Sequence, residues 1–355
     1  MASDVPAQLK PREAVLRMAP YSPPTGGRAG KLRLDFNENT VGCSPRVVEY
    51  LKERLDGNIF SVYPEYAATR EALSRFFAVE EPQLVLTNGT DEAIQVLVNT
   101  YADDNDDVLV LHPSYAMYRF YAEVAGASVR ELPYRKQDLA FPLEELLEAI
   151  HPATRAILIA NPNNPTGTGI GIGEIRRILG RAPHAAILID EAYFEFSGVT
   201  AIPLLAEYPN LFVSRTFSKA FGMAAMRFGC LLTQASNAAY LRKAQSPYSV
   251  NLLAAIAARA AIEDTAYVSN YVSEVLDARE MIYAGLARLG IPFHPSQANF
   301  VLFHAGARAI EIRDKLRAMD VLVRDRSYEI EGCVRVTAGT RAQTQRFLDC
   351  LEQIW

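Results

Sequence analysis

This chain is constrained most by a series of short, nearly unbroken apolar runs, each closed at its C-terminal end by polar residues. The runs are Gln83–Thr87, Asp107–Leu111, Arg155–Ala160, Ala186–Asp190, Leu211–Ser214 and Arg227–Leu232. Strands that carry apolar residues without alternation are buried on both faces, the situation of a mainly parallel sheet covered by helices. Helical patterns lie between them at Asp91–Ala102, Leu143–Ile150 and Glu174–Leu179, so the region from Pro82 to Thr233 is expected to be an α/β domain. Open sheets of this kind gather ligands beyond the carboxyl ends of their strands. Polar groups fall there: Asn88–Thr90, Pro113–Tyr115, Asn161–Gly167, Asp190 and Thr216–Lys219.

Beyond Val250 the pattern changes. A long Ala-rich helical stretch, Asn251–Leu289, precedes Phe300–Phe303, a helix over Ile310–Met319, the run Val334–Thr337 and a last helix over Ala342–Ile354. This mixture predicts a smaller α+β domain, and Pro20–Gly30 reads as an irregular arm. The expected division is 1–38 as an arm belonging to the small domain, 39–250 as the large domain and 251–355 as the rest of the small one.

Charge and composition remove several classes of function. Lys+Arg 36 against Asp+Glu 41 argues against a nucleic-acid partner held by phosphate attraction. The longest membrane-span candidate, Leu252–Ile262, is broken by Arg259, and the first fifteen residues lack a secretory pattern. The four cysteines are scattered with no histidine at ligand spacing, and the five histidines are unclustered, which argues for free thiols and against a metal site. The expectation is a cytoplasmic protein with no membrane partner.

Lys219 lies in an apolar setting, Thr216–Gly222, in a chain with only seven lysines. A desolvated amine loses its proton more readily and can form a Schiff base with an aldehyde; a surface lysine on a turn is the plain alternative. Pyridoxal phosphate, an aldehyde with a phosphate tail, accounts for the other polar loops as well. Asp190 would keep its pyridine nitrogen protonated and the ring an electron sink. Asn164 and Tyr193 would reach the ring phenolate, and Tyr115 could lie flat on the ring. A turn asparagine and two core tyrosines are equally ordinary readings. For the phosphate, the helix start supplies backbone N–H groups at Thr90 and Asp91, with the Asp91 and Glu92 side chains turned away to cap the helix. Thr216 and Ser218 add hydroxyls, and Arg227 adds a fork of donors unless it is a routine ion pair. The alternating glycines from Gly167 to Gly173 lack the G-x-G-x-x-G spacing and are read as a flexible loop.

Taken together, Thr216–Ala225, Asn161–Gly167, Asp190–Tyr193, Arg227 eight residues after the lysine, and Val334–Thr337 resemble the motifs of class-II aminotransferases. The chain is similar to fold-type I pyridoxal-phosphate enzymes, nearest to the histidinol-phosphate aminotransferases, from about Tyr21 to the C-terminus. That resemblance implies a large cofactor domain with a mainly parallel sheet, and a smaller α+β domain. Asn39, in Asn37–Asn39, would lie at the substrate edge, and Arg335 would bind the amino-acid carboxylate. Arg324 and Tyr21 would help bind a substrate phosphate. Tyr63 would reach the cofactor phosphate of a second subunit, which implies a homodimer. The implied reaction is transamination, with Lys219 as the amine that moves the proton, and with histidinol phosphate and 2-oxoglutarate as donor and acceptor. Departures concern the substrate: Ser22–Arg28 differs from the usual arm, Met223–Arg227 replaces Leu-Ala-Gly-Leu-Arg, and Asn39 is followed by Thr40 where many relatives have proline. An aromatic aminotransferase, a threonine-phosphate-type decarboxylase and a non-catalytic cofactor-binding module are the alternatives.

Overall fold

The computed structural model describes residues 9–18, 20 and 26–355. Its first strands are β1 (Leu32–Arg33), β2 (Leu84–Thr87), β3 (Asp107–His112), β4 (Ser128–Pro133), β5 (Thr154–Ala160), β6 (Ala186–Asp190), β7 (Leu211–Thr216) and β8 (Gly229–Leu232). The C-terminal part adds β9 (Phe293–His294), β10 (Phe300–His304), β11 (Val321–Leu322), β12 (Arg324–Asp325) and β13 (Cys333–Thr337). Strands β2 to β8 form one seven-stranded sheet in the order β2-β8-β7-β6-β5-β3-β4. The unbroken apolar runs occupy its interior, and β6, β7 and β8 are buried at every position.

One reversal in this sheet builds the site. Pairs β3–β4, β3–β5, β5–β6 and β6–β7 are parallel, whereas β8 runs antiparallel to both β7 and β2. A parallel return needs a long crossover, usually a helix. Residues 217–228 form only a loop with a short 3₁₀ turn, so the chain turns back at the same end of the sheet. Lys219 and Arg227 therefore stand at the carboxyl ends of the parallel strands. Gly229 pairs with both Thr87 and Thr216, and a Cβ there would lie 2.9 Å from the Arg215 carbonyl oxygen and the Gly89 carbonyl carbon.

The second body is a four-stranded antiparallel sheet, β12-β13-β10-β9, and a parallel pair, β1–β11. Helices Thr265–Arg288, Ala309–Ala318 and Arg341–Ile354 bury Val275, Ile282, Ile312 and Phe347 against it. The arm enters this body through β1, with Leu32 opposite Val321. Two expectations are corrected here. The single helical stretch over 251–289 is two helices, broken at Asp264, whose side chain accepts the Tyr267 N–H and caps the second. The first, Leu252–Glu263, is apolar except at Arg259 and Glu263 and packs its alanines into the core of the large sheet. The scattered cysteines also need correction: Cys333 stands opposite His304, with Sγ 3.3 Å from its Nδ1. Among the described residues, no helix is long and apolar enough to cross a membrane.

Candidate active site

A cavity of roughly 410 Å³ opens at the carboxyl ends of the parallel strands and is closed from the other side by β12 and β13. It brings together Lys219, Asp190, Tyr193, Tyr115, Asn164, Thr216, Ser218, Thr90, Asp91, Arg227, Arg324 and Arg335. Of the expected residues, Tyr63 and Asn39 are not in its wall. Tyr21 lies outside the described residues. Tyr63 is exposed and stacks on Tyr248, ring centroids 4.6 Å apart. Asn39 is buried, but its amide is used elsewhere: it donates to the Ala220 carbonyl at 3.0 Å and accepts the Val41 and Gly42 N–H groups at 2.9 Å. Asn39 therefore pins the loop beside Lys219, while its neighbours Asn37 and Glu38 line the cavity.

Lys219 reaches inward from the β7–β8 loop, and its Nζ donates to the Phe36 carbonyl at 3.1 Å. Burial, reinforced by Arg335 and Arg227, draws its pKa down to about 8, with Glu38 opposing. Asp190 ends β6 with 3% exposure and accepts hydrogen bonds from Tyr118 Oη at 2.7 Å and Ser214 Oγ at 2.8 Å. It makes no ion pair among the described residues, and burial pushes its carboxyl above the ordinary range against those two donors. A buried carboxylate without a cation is costly unless a ligand supplies one. Tyr118 and Ser214 were missed in the sequence. The available signal was spacing: Tyr118 follows Tyr115 by nearly one helical turn, in the segment leading into the helix Met117–Ala125.

Asn164 accepts from Arg335 Nη1, and Tyr193 Oη accepts from Asn37 Nδ2 at 2.9 Å. Asn37 takes a left-handed backbone conformation, φ 56°, fixed by bonds between its backbone N–H, its side chain and the Thr337 hydroxyl. Thr216 Oγ1 accepts the Ser218 N–H at 3.2 Å. At the helix start Gly89–Tyr101, Arg227 lies against Gly89 so closely that a Cβ there would stand 2.5 Å from its Nη2. The Asp91 side chain does not turn away as expected. It accepts from Tyr115 Oη at 2.7 Å and lies 3.2 Å from Arg227 Nη2, so it holds two cavity donors in place. Glu92 alone caps, accepting the Asn88 N–H at 2.6 Å.

The small-sheet wall is strongly cationic. Arg324 and Arg335 are opposite one another across β12 and β13, and Arg326 also lines the cavity. Like charges placed opposite repel. Arg335 is 4% exposed; burial, then Arg326 and Arg324, bring its pKa down to about 10. It donates to the Asp35 carbonyl at 2.7 Å. Arg324 Nη1, Arg326 Nε and Arg335 Nε are buried and have no hydrogen-bond partner among the described residues. Arg326 and its partner Glu329 were missed by the sequence reading, because neither sits in a recognisable motif. Such a set of orphaned donors suits an anionic ligand.

The sequence matches the family described as aminotransferase class I and II over residues 29–351. It is 36% identical over 355 residues to a histidinol-phosphate aminotransferase of Symbiobacterium thermophilum, covering 96% of this chain and 97% of that one. It is 34% identical over 331 residues to the enzyme of the same name from Geobacillus sp. strain WCH70, covering 91% and 90%. The crystal structure of the histidinol-phosphate aminotransferase from Clostridium acetobutylicum superposes with TM-score 0.83 at 25% identity, covering 91% of this chain and 98% of that chain.

Proposed function

The chain belongs to the class I and II aminotransferase family, and from that premise we propose that it transfers the amino group of histidinol phosphate to 2-oxoglutarate. The products are imidazole acetol phosphate and glutamate. The observation that carries the substrate reading is the triple-arginine wall, Arg324, Arg326 and Arg335 lining one cavity. An aromatic side chain would leave those donors unsatisfied, whereas a phosphate or a distal carboxylate pairs with them.

The donor set fits pyridoxal phosphate. A buried carboxylate without a cation, a depressed amine, and a helix start crossed by an arginine match its ring nitrogen, aldehyde and phosphate respectively. When bound, the cofactor supplies a carbonyl that takes up amines and a cationic ring that accepts electrons from the substrate Cα. Asp190, fixed by Tyr118 and Ser214, holds the proton at the ring nitrogen. The Thr90 and Asp91 N–H groups, Thr216, Ser218 and Arg227 hold the phosphate. Tyr115, Asn164 and Tyr193 orient the ring. Lys219 Nζ moves the proton at the substrate Cα, and Arg335, braced by Asn164 and Asp35, grips the α-carboxylate of glutamate or 2-oxoglutarate, or the phosphate of histidinol phosphate.

We assign the enzyme to the cytoplasm as a homodimer, in which exposed Tyr63 reaches the second subunit's cofactor phosphate. The large cofactor domain starts at 39 and extends through the helix ending at Glu263; the arm and the remaining C-terminal residues make the small one. Half-reaction rates with histidinol phosphate, phenylalanine, tyrosine and glutamate test the substrate. Histidinol phosphate is expected to exceed both aromatic amino acids by about 100-fold in kcat/KM. Faster reaction of phenylalanine or tyrosine, or carbon dioxide release without an oxo-acid acceptor, overturns the assignment.

A further inference from the structure

We propose that His294, His304 and Cys333 form a binding site for one zinc-class divalent cation, on the face of the small sheet that turns toward the large one. Pairing places them. In β9–β10 His294 is opposite Leu302, and in β10–β13 His304 is opposite Cys333. Leu302 and His304 are two residues apart on one strand and share a face, so all three side chains project from the same side. Leu302 and Cys333 belong to the core beneath the large sheet, whereas Phe303 and Val334, pointing the other way, belong to the small-sheet core. The cluster therefore sits at the seam between the two bodies, outside the catalytic cavity.

The distances suit a metal. His294 Nε2 and His304 Nε2 are 2.8 Å apart, Cys333 Sγ is 3.8 Å from His304 Nε2, and the three ligand atoms lie within 4.8 Å of one another. A tetrahedral zinc ion spaces its nitrogen ligands about 3.3 Å apart, and nitrogen and sulfur about 3.6 Å apart. The imidazole pair has to open by about half an ångström, and the widest separation, up to 4.8 Å between His294 and Cys333, has to close by about 1 Å. Two imidazoles and a thiolate favour zinc over magnesium or calcium, and three protein ligands leave a fourth position for water. The Cys333 thiol, raised to about 12 by burial, gives its proton to solvent as the sulfur–metal bond forms. Occupied, the site would clip the two-residue edge strand β9 onto β10 and β13.

The test uses tag-free holoenzyme, stripped with a chelator and equilibrated with micromolar zinc, with bound metal counted per chain. One zinc per chain is expected, and cobalt in its place should show the intense visible bands of a four-coordinate site with a thiolate ligand. Cys333→Ser and His304→Gln should each weaken zinc binding by at least about ten-fold, with circular dichroism confirming that the variants are folded. His294→Gln, on the half-buried edge strand, gives the same loss with less risk to the core. Cys43→Ser should leave binding unchanged. Substoichiometric zinc, or zinc retained by both Cys333→Ser and His304→Gln, overturns the proposal and leaves a hydrogen-bonded His–His–Cys chain.

Discussion

Replacing the buried amine by an apolar group of similar length should stabilise the cofactor-free protein, and the gain should vanish in alkali. The drop in the Lys219 pKa from 10.5 to about 8 corresponds to about 3 kcal/mol by which burial and the neighbouring arginines disfavour the charged form. Below pH 8 the amine is protonated in folded and unfolded chains alike, and the folded state bears the whole penalty. Between about pH 8 and 10.5 the unfolded chain binds more protons, so the wild type gains stability as pH rises; above 10.5 the penalty is gone. Lys219→Met carries no titrating group, so the difference between the two proteins isolates this one site. Urea unfolding followed by circular dichroism, at fixed protein concentration so that association is constant, should find Lys219→Met more stable by about 3 kcal/mol at pH 7. The gap should narrow by about that amount by pH 10.5. A gap that stays constant over this range, or a wild type more stable at pH 7, would refute the claim that the cavity holds a desolvated amine.

Asp190→Asn should still bind the cofactor but lose turnover by about 100-fold or more, roughly 3 kcal/mol, measured as steady-state transamination. Full turnover would remove Asp190 from the ring nitrogen. Tyr118→Phe removes one of the two side-chain donors on that carboxylate, a contact worth about 1.5–3 kcal/mol, and should lower kcat by about ten-fold. Ser214→Ala should do the same, and an unchanged rate in both variants would show that the carboxylate does not need them. Gly89→Ala meets both a left-handed backbone, φ 73°, and the Arg227 guanidinium at 2.5 Å. Cofactor should then dialyse out of this variant faster than from the wild type, and equal retention would separate Arg227 from the phosphate.

The interior of the large sheet was legible because its strands are buried on both faces and so carry apolar residues at every position. β4 was not, since an edge strand alternates exposed and half-buried residues and its Arg130 and Glu131 break the apolar run. The same contrast runs through the site. Lys219, Asp190 and Asn164 could be placed because each terminates or follows a readable strand, and Arg227 because it opens one. Asn37 and Asn39 stood in one short motif, but only the backbone shows that the first faces the cavity and the second faces the loop behind Lys219. The His294–His304–Cys333 cluster was invisible for a simpler reason. Antiparallel pairing joins residues ten and twenty-nine positions apart, and no linear spacing rule covers that.

Five cationic and four acidic side chains line the cavity of a chain whose net charge is −5, and Arg227 and Arg326 are paired there with Asp91 and Glu329. Their anchoring is unequal. Arg335 is tied to Asn164 and Asp35, residues from different parts of the fold, and its position is set before any ligand arrives. Arg324 has no side-chain hydrogen bond among the described residues and rests over the Phe36 ring, 5.4 Å from its centroid. Each buried guanidinium nitrogen without a partner costs about 1–3 kcal/mol, and an entering anion recovers that amount. A fixed arginine beside a freer one is what a single pocket needs when it must hold the glutamate side-chain carboxylate in one half-reaction and a bulkier phosphate in the other. On the proposed reading, the fixed group would set the reacting carbon against Lys219, while the freer one would follow the size of the second anion. On that reading, tolerance for two substrates would rest on Arg324 being left without an acceptor of its own among the described residues.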